Sequence, residues 1–296
     1  MQNRWKIASY PMASEQKVLD HVAQQLKEAA PQSIVVLPEY VAYTEENAAK
    51  ALEVLVDVCQ TKRISVMTTL NLVPNKLPHA AAGVNYNTLT IVTKEGEVHT
   101  PQAKITPQSF ERVQYQPNFP KMNVGDYGFL NRVTLEIDGE QVSAFFVICS
   151  DVYCLMAGVE QVEEIKADYC IVPGNFGNGA EQAVRRTLQR FREAGIFGTT
   201  IFSNPYQNVK DESQVPLVKE AVEMIAAKPD APIRPLTDWE RMELVKNNVA
   251  IYPDEQVPSF VHMAKLTMMD QGRMTVGMSR FPVTVQLGTY PERIVL

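Results

Sequence analysis

The segment Ser33-Ile-Val-Val-Leu-Pro-Glu39 is the part of the sequence from which the fold can be derived. The apolar residues Ile34 to Leu37 follow one another with no polar residue between them, which is typical of a strand buried on both faces. The strand ends at Pro38, because proline cannot donate a hydrogen bond to a neighbouring strand. Glu39 is therefore predicted to lie just beyond the end of a buried strand.

Helical and strand-like segments alternate on both sides of this strand. Between Ser14 and Ala30, apolar residues recur every three or four positions, which predicts an amphipathic helix with Ser14 as its N-cap. A first strand is predicted before it at 4–10, a second helix at 45–61 and a further buried strand at 64–70. Turn residues separate 87–93 from 97–102 and 133–137 from 142–148, which predicts two hairpins. The pattern indicates an α/β fold with parallel and antiparallel strands.

The same alternation continues to about residue 205. Helices are predicted near 159–166 and 179–194, and strands at 169–172 and 199–203. Residues 206–269 break the pattern with a proline-rich stretch between two helix-like segments, and residues 273–296 are again strand-like. We interpret 1–296 as a single domain with an atypical elaboration at about 206–269, which could serve as a lid or as an assembly element.

Composition and charge exclude several classes of protein. The formal net charge is -6, so no broad positive field would attract nucleic acid. No apolar stretch is long enough for a membrane helix, and the N-terminal segment lacks the continuous apolar centre of a secretion signal. We expect a soluble, cytoplasmic protein whose four cysteines are reduced thiols.

Three polar residues are predicted to stand at strand ends. Glu39 follows one buried strand, Cys149 follows the apolar run Ala144 to Ile148, and Lys104 follows the second strand of a hairpin. Ligands bind beyond the carboxyl ends of strands in open α/β sheets, so a shared site is expected there. A buried cysteine is often only a small apolar core residue, but Ser150 and Asp151 directly after it favour a polar site instead.

Glu39, Lys104 and Cys149 occur in this order within three short motifs, Leu37-Pro-Glu39, Lys104-Ile-Thr and Cys149-Ser-Asp151. With these motifs the chain resembles the nitrilase superfamily of carbon–nitrogen hydrolases. The resemblance covers roughly residues 4–205. It implies an α-β-β-α sandwich and sheet-on-sheet pairing into a homodimer or larger homo-oligomer. We expect no cofactor and no metal.

The resemblance also implies roles for individual residues. Cys149 would attack a carbonyl or nitrile carbon, Glu39 would take the thiol proton and later activate water, and Lys104 would stabilise the developing negative oxygen. A backbone N–H after the nucleophile, that of Ser150, would be a second donor to this oxygen. We expect Glu111, Ser150, Tyr40 and Asn175 to support the reaction or to bind substrate; Glu111 matches a second glutamate of the family.

The chain departs from the family pattern in two places. Val152-Tyr-Cys-Leu-Met156 replaces the usual aromatic-Pro-Glu turn after the nucleophile, and residues 206–269 replace a short hairpin. Gly277-Met-Ser-Arg280 is similar to a displaced Gly-x-Ser element of the family.

The sequence therefore predicts a hydrolase that cleaves a non-peptide carbon–nitrogen bond of a small amide or carbamoyl compound through a cysteine thioester. Nitrile hydrolysis or acyl transfer by the same residues remains open, as does a catalytically silent binding or scaffold protein on this fold. Two weaker alternatives are a zinc site of Cys149, Cys154, Cys170 and His262, and a phosphate-binding loop at 174–179, which lacks the Gly-Lys-Ser/Thr ending of such loops.

Overall fold

The computed structural model describes residues 4–7, 15–106, 127–152, 155, 165–176, 180–204, 266–269, 273–276 and 283–296. These residues form three helices, α1 (Glu15–Glu28), α2 (Glu45–Lys62) and α3 (Ala180–Glu193). In chain order, the strands are β1 (Trp5–Ile7), β2 (Ile34–Val36), β3 (Ser65–Leu72), β4 (Tyr86–Val92), β5 (Val98–Ala103), β6 (Phe129–Ile137), β7 (Glu140–Phe146), β8 (Ala167–Pro173), β9 (Phe197–Ser203), β10 (Leu266–Met269), β11 (Arg273–Val276), β12 (Val283–Thr284) and β13 (Gln286–Val295).

Two five-stranded sheets form the body of the protein. The first has the order β1-β2-β3-β4-β5, with β1, β2 and β3 parallel and the last two strands antiparallel to their neighbours. The second has the order β13-β6-β7-β8-β9, in which only the β6–β7 pair is antiparallel. A separate three-stranded sheet contains β10, β11 and β12. The predicted mixture of parallel and antiparallel strands is confirmed.

Alternate residues of β2 face two different hydrophobic cores. Ile34 and Val36 belong to a core that also contains Val133 and Leu135 of the second sheet. Val35 belongs to a second core, which contains the buried residues of α1 and α2. Because successive side chains of a strand point to opposite faces, the first sheet has the helices on one face and the second sheet on the other.

Further contacts complete the layers. The ring of Trp5 in β1 lies 5.2 Å from that of Tyr169 in β8, so the two sheets meet directly at this place. α3 packs against β9, where the rings of Phe191 and Phe197 are 5.8 Å apart. The α/β fold class is confirmed, and the layering agrees with the expected α-β-β-α sandwich.

Local sequence signals explain the element ends. Thr44 caps α2 by accepting a hydrogen bond from the N–H of Asn47, and Arg63 ends the helix in the left-handed region with φ 56°. Asp138 and Gly139, between β6 and β7, both have positive φ, as a tight hairpin turn requires. The predicted helix at 45–61 and both predicted hairpins are therefore confirmed to within a few residues.

Some predictions fall on parts of the chain that lie outside the described residues. These are the Ser14 cap, most of the helix near 159–166, the two helix-like segments of the 206–269 region, and Gly277-Met-Ser-Arg280. No helix among the described residues is long and apolar enough to cross a membrane. The single domain, the cytoplasmic location and the homo-oligomer stay predictions.

Candidate active site

The candidate site lies where strands of both sheets end. Glu39 follows β2 in the first sheet, and Lys104 directly follows β5, which runs in the same direction as β3 because two antiparallel pairings separate them. Cys149 follows β7 and Asn175 follows β8, and these two strands of the second sheet are parallel. The polar residues thus reach one region from two sheets, which hold them rigidly.

The turn that carries Glu39 is held by hydroxyl groups of β3. The Thr68 hydroxyl donates to the Pro38 carbonyl at 3.1 Å, and the Tyr40 N–H donates to the Thr69 hydroxyl at 3.0 Å. Tyr40 has a φ of 64°, in the left-handed region that non-glycine residues seldom occupy. Such a strained conformation persists only where neighbouring contacts hold it, as the hydrogen bond to Thr69 does here.

Glu39 and Lys104 form a buried ion pair. The Lys104 ammonium donates to Glu39 Oε1 at 2.7 Å, and both side chains are only 1% exposed. The Asn87 side-chain amide donates to the same oxygen at 2.7 Å, and the Asn87 carbonyl accepts the backbone N–H of Lys104 at 2.9 Å. The ammonium also lies 5.6 Å from the centre of the Tyr40 ring. The geometry of the acid and the amine is thus fixed by β4 as well as by their own strands.

Cys149 opens a short 3₁₀ turn, Cys149–Asp151, and has a φ of 48°. Left-handed backbone at a non-glycine residue costs of the order of 1 kcal/mol or more and persists only where surrounding contacts enforce it. The side chain is 6% exposed. The thiol is therefore presented at a sharp, strained corner and is not simply packed within the strand.

The Cys149 thiol interacts with both partners that the sequence assigned to it. Burial raises its pKa well above the ordinary value, and the Glu39 carboxylate raises it further by its charge and by accepting the thiol hydrogen bond. The Lys104 ammonium and the backbone N–H of Asn175 act in the opposite direction and lower the pKa. At neutral pH the resting group is thus a thiol hydrogen-bonded to a carboxylate, which is the arrangement that a general base needs.

The residue after β8 closes the site from the second sheet. The Glu39 N–H donates to the Gly174 carbonyl at 3.0 Å, and a Cβ built on Gly174 would lie 2.7 Å from the Phe202 ring. Glycine is needed here because the backbone approaches this ring so closely. Asn175 Oδ1 is buried and has no hydrogen-bond partner among the described residues.

Ser150 and Asp151 point towards the segment after β5. The Ser150 hydroxyl donates to the Thr106 carbonyl at 2.7 Å, and the Asp151 carboxylate accepts the N–H groups of Ile105 and Thr106. Burial raises the pKa of Asp151 to about 6, although the Lys104 charge and these hydrogen bonds oppose the rise. The Ser150 side chain thus makes structural contacts, and its expected role concerns its backbone N–H alone.

The other predicted ligands and site residues are placed as follows. Glu111, Cys154 and His262 lie outside the described residues. Cys59 and Cys170 are fully buried in the two cores, and burial raises the pKa of both thiols, that of Cys59 to about 12. Among the described residues no group of three or more His, Cys, Asp or Glu side chains could hold a metal ion.

Sequence reasoning missed two residues of the site, Asn87 and Thr106. Asn87 shares its strand face with Leu89 and Ile91 of the buried core, so a polar residue interrupts an apolar face at the strand end. That interruption was a detectable signal. Thr106 stands in the Lys104-Ile-Thr motif, but nothing local assigned it a role, because its partners lie 44 and 45 residues away.

Comparisons with known proteins give similarities of structure only. No family model matches the chain, and no curated protein matches it. A carbon-nitrogen hydrolase from Helicobacter pylori G27 has a TM-score of 0.49 at 17% identity, covering 71% of this chain and 75% of that one. A CN-hydrolase superfamily protein from Xanthomonas campestris has a TM-score of 0.46 at 14% identity, covering 68% and 74%. An amidase from Nesterenkonia sp. has a TM-score of 0.46 at 19% identity, covering 68% and 74%.

Proposed function

We propose that this chain is a cysteine-dependent hydrolase of carbon–nitrogen bonds in small amides or carbamoyl compounds. The observation that carries the proposal is the buried contact set in which one carboxylate, that of Glu39, accepts from the Lys104 ammonium and interacts with the Cys149 thiol. A thiol nucleophile, a carboxylate base and an ammonium that can stabilise an oxyanion together suffice for acyl transfer through a thioester.

In the first half of the reaction, Glu39 takes the thiol proton as the Cys149 sulfur attacks the carbonyl carbon of the substrate. A carbon–sulfur bond forms, and the carbonyl oxygen becomes an anion. Lys104 stabilises this anion together with the backbone N–H of Ser150. Each such donor contributes about 3 to 4 kcal/mol to transition-state stabilisation in a site from which water is excluded.

In the second half, the protonated Glu39 returns its proton to the leaving nitrogen, and the carbon–nitrogen bond breaks. Glu39 then removes a proton from a water molecule that attacks the thioester carbonyl. The carbon–sulfur bond breaks, the acid is released and the sulfur recovers its proton. One residue thus serves alternately as base and acid, which fits a site whose described residues place no histidine beside the thiol.

Substrate orientation falls to Asn175, whereas the expected substrate role of Tyr40 stays a prediction. The buried Asn175 Oδ1 has no hydrogen-bond partner among the described residues. The backbone N–H of the same residue contacts the Cys149 thiol. An amide or carbamoyl N–H of the substrate would provide the missing donor, and a buried acceptor left without one costs about 1 to 3 kcal/mol. This need for a donor favours amide and carbamoyl compounds over nitriles, which carry no N–H.

The test measures ammonia release from a panel of small amides, carbamoyl compounds and nitriles. We expect turnover of at least one amide or carbamoyl compound, and mass spectrometry should detect an acyl group on Cys149. Cys149→Ala should abolish turnover, whereas Cys59→Ser, at a buried thiol in the core between the helices and the first sheet, should retain it.

The possible outcomes separate the candidate functions. Release from nitriles alone would indicate nitrile hydrolysis, and acyl-enzyme that is resolved only by an added amine would indicate acyl transfer. Full activity of Cys149→Ala would refute the assignment of the nucleophile. Equally slow alkylation of all thiols, without turnover, would favour the scaffold alternative.

A further inference from the structure

The turn of the nucleophile and the segment after Lys104 are joined by a buried set of hydrogen bonds. Asp151 Oδ1 accepts the Thr106 N–H and the Thr106 hydroxyl, each at 2.7 Å. The Ile105 N–H lies 3.0 Å from Oδ2 of the same carboxylate. Asp151 is 1% exposed, so its carboxylate is satisfied by this segment and not by bulk solvent.

Ser150 reinforces the same connection. Its hydroxyl donates to the Thr106 carbonyl at 2.7 Å, and the Thr106 hydroxyl lies 3.0 Å from Ser150 Oγ. Asp151 therefore binds both residues that follow Lys104, and Ser150 binds the second of them, Thr106. Because Cys149 follows β7 and Lys104 follows β5, these bonds connect the second sheet to the first.

The backbone of Lys104 is held from both sides. Its own N–H donates to the Asn87 carbonyl at 2.9 Å, while the next two N–H groups donate to Asp151. A lysine side chain has four flexible carbon atoms, so a fixed backbone is needed to keep its ammonium at one place. Burying a carboxylate is costly, and the donors that offset the cost all come from one segment.

We propose that Asp151 is a positioning residue, whose carboxylate clamps the end of β5 to the nucleophile turn and thereby sets the distance between the Lys104 ammonium and the Cys149 sulfur. This inference rests on the proposed function, in which the ammonium stabilises negative charge on the substrate oxygen. Displacement of the reacting groups by about 1 Å is enough to slow a reaction a hundredfold.

The sign of the effect separates positioning from simple electrostatics. Lys104 lowers the pKa of the Cys149 thiol. Loss of the clamp moves the ammonium away and therefore raises that pKa. Removal of the Asp151 negative charge, acting only through space, would lower it. A neutral replacement of Asp151 thus gives opposite shifts under the two explanations.

The experiment measures the rate at which iodoacetamide alkylates Cys149 across a pH series, by mass spectrometry of the full chain. In Asp151→Asn the rate profile should move to higher pH by about one unit, which corresponds to about tenfold slower alkylation at neutral pH. The matched control is Asp168→Asn, which removes an exposed carboxylate that likewise bridges two strands, through the Ser143 N–H and hydroxyl. Its profile should equal that of the unmodified chain.

Two substitutions of Thr106 test the same inference if Asp151→Asn does not fold. Thr106→Val removes the donating hydroxyl and should shift the profile in the same direction by a smaller amount, and Thr106→Ser should restore it. An unchanged or acid-shifted profile in folded Asp151→Asn overturns the inference. Where Asp151→Asn does not fold, an unchanged profile in Thr106→Val overturns it.

Lys104→Met provides the reference that separates the two proposals. It removes the ammonium itself and should shift the alkylation profile to higher pH. If Lys104→Met shifts the profile and the folded Asp151 and Thr106 variants do not, the positioning role alone fails. If Lys104→Met leaves the profile unchanged, the role of Lys104 in the proposed function fails, and the positioning role fails with it.

Discussion

The Cys149 thiol lies between a carboxylate and an ammonium that change its pKa in opposite directions. Glu39 raises the pKa through its charge and through the thiol hydrogen bond, whereas Lys104 lowers it. In the proposed reaction, a thiol that rests in the protonated form has to lose its proton in the same step in which it attacks the substrate. This is why the carboxylate has to be adjacent to the sulfur as well as to the ammonium.

Glu39→Gln tests this balance at the residue scale. Burial, the largest cause of the raised pKa of Cys149, is unchanged by this substitution, but the two contributions of Glu39 are removed and Lys104 is retained, so the pKa should fall and alkylation should begin at lower pH. Hydrolysis should nevertheless decrease about a hundredfold or more, because glutamine cannot accept the proton. The measurements are the pH profile of iodoacetamide alkylation and ammonia release, and a shift of the profile to higher pH would contradict the arrangement.

At the scale of elements, the loops that follow β2 and β8 hold one another. The Glu39 N–H donates to the Gly174 carbonyl, and the Gly174 N–H donates to the Ser203 carbonyl at the end of β9. The position of Glu39 thus depends on a backbone contact with the opposite sheet. The close approach of Gly174 to the Phe202 ring is what permits this contact.

Gly174→Ala should disturb this contact without altering any side chain that reacts. The new Cβ would lie 2.7 Å from the Phe202 ring and 2.9 Å from the Phe176 ring, so the loop has to move. We expect a loss of about 1 to 3 kcal/mol in the free energy of unfolding. Turnover should fall by about ten- to a hundredfold, since Glu39 and Asn175 are displaced together.

The control for this substitution is Gly83→Ala. Gly83 has a φ of +70°, which is strained for any other residue, but a Cβ there would meet nothing within 4 Å. It should cost about 1 kcal/mol of stability through backbone strain and leave turnover unchanged. Turnover should be compared in samples that urea unfolding shows to be folded. Equal turnover of the two variants would then show that the Gly174 loop does not position Glu39.

At the scale of the whole molecule, the site and the helical layer rest on different cores. The core between α1, α2 and the first sheet contains Leu55 and Leu26, and the core between the sheets contains Cys149. The first sheet separates the helical core from the side on which the second sheet lies. Changes within the helical core should therefore alter stability more than chemistry.

Leu55→Ala and Val54→Ala test this separation on adjacent residues of α2. Leu55 is 1% exposed and Val54 is 42% exposed. Urea unfolding should show a loss of about 2 to 5 kcal/mol for Leu55→Ala, because a cavity remains in the core, and a change within about 0.5 kcal/mol for Val54→Ala. In the absence of urea, iodoacetamide should alkylate Cys149 in both variants at the rate of the unmodified chain. Slower alkylation of Cys149 in Leu55→Ala would show that the layers are coupled.

The sequence by itself determined the α/β class, the buried strand at Ile34–Val36, the hairpins and the strand-end positions of Glu39, Lys104 and Cys149. These features follow from apolar periodicity and turn chemistry, which act over a few neighbouring residues. Only the tertiary structure decided which donors the site uses. Asn87 reaches Glu39 across 48 residues and Asp151 reaches Ile105 across 46, and such contacts depend on how two sheets pack, which no local pattern encodes.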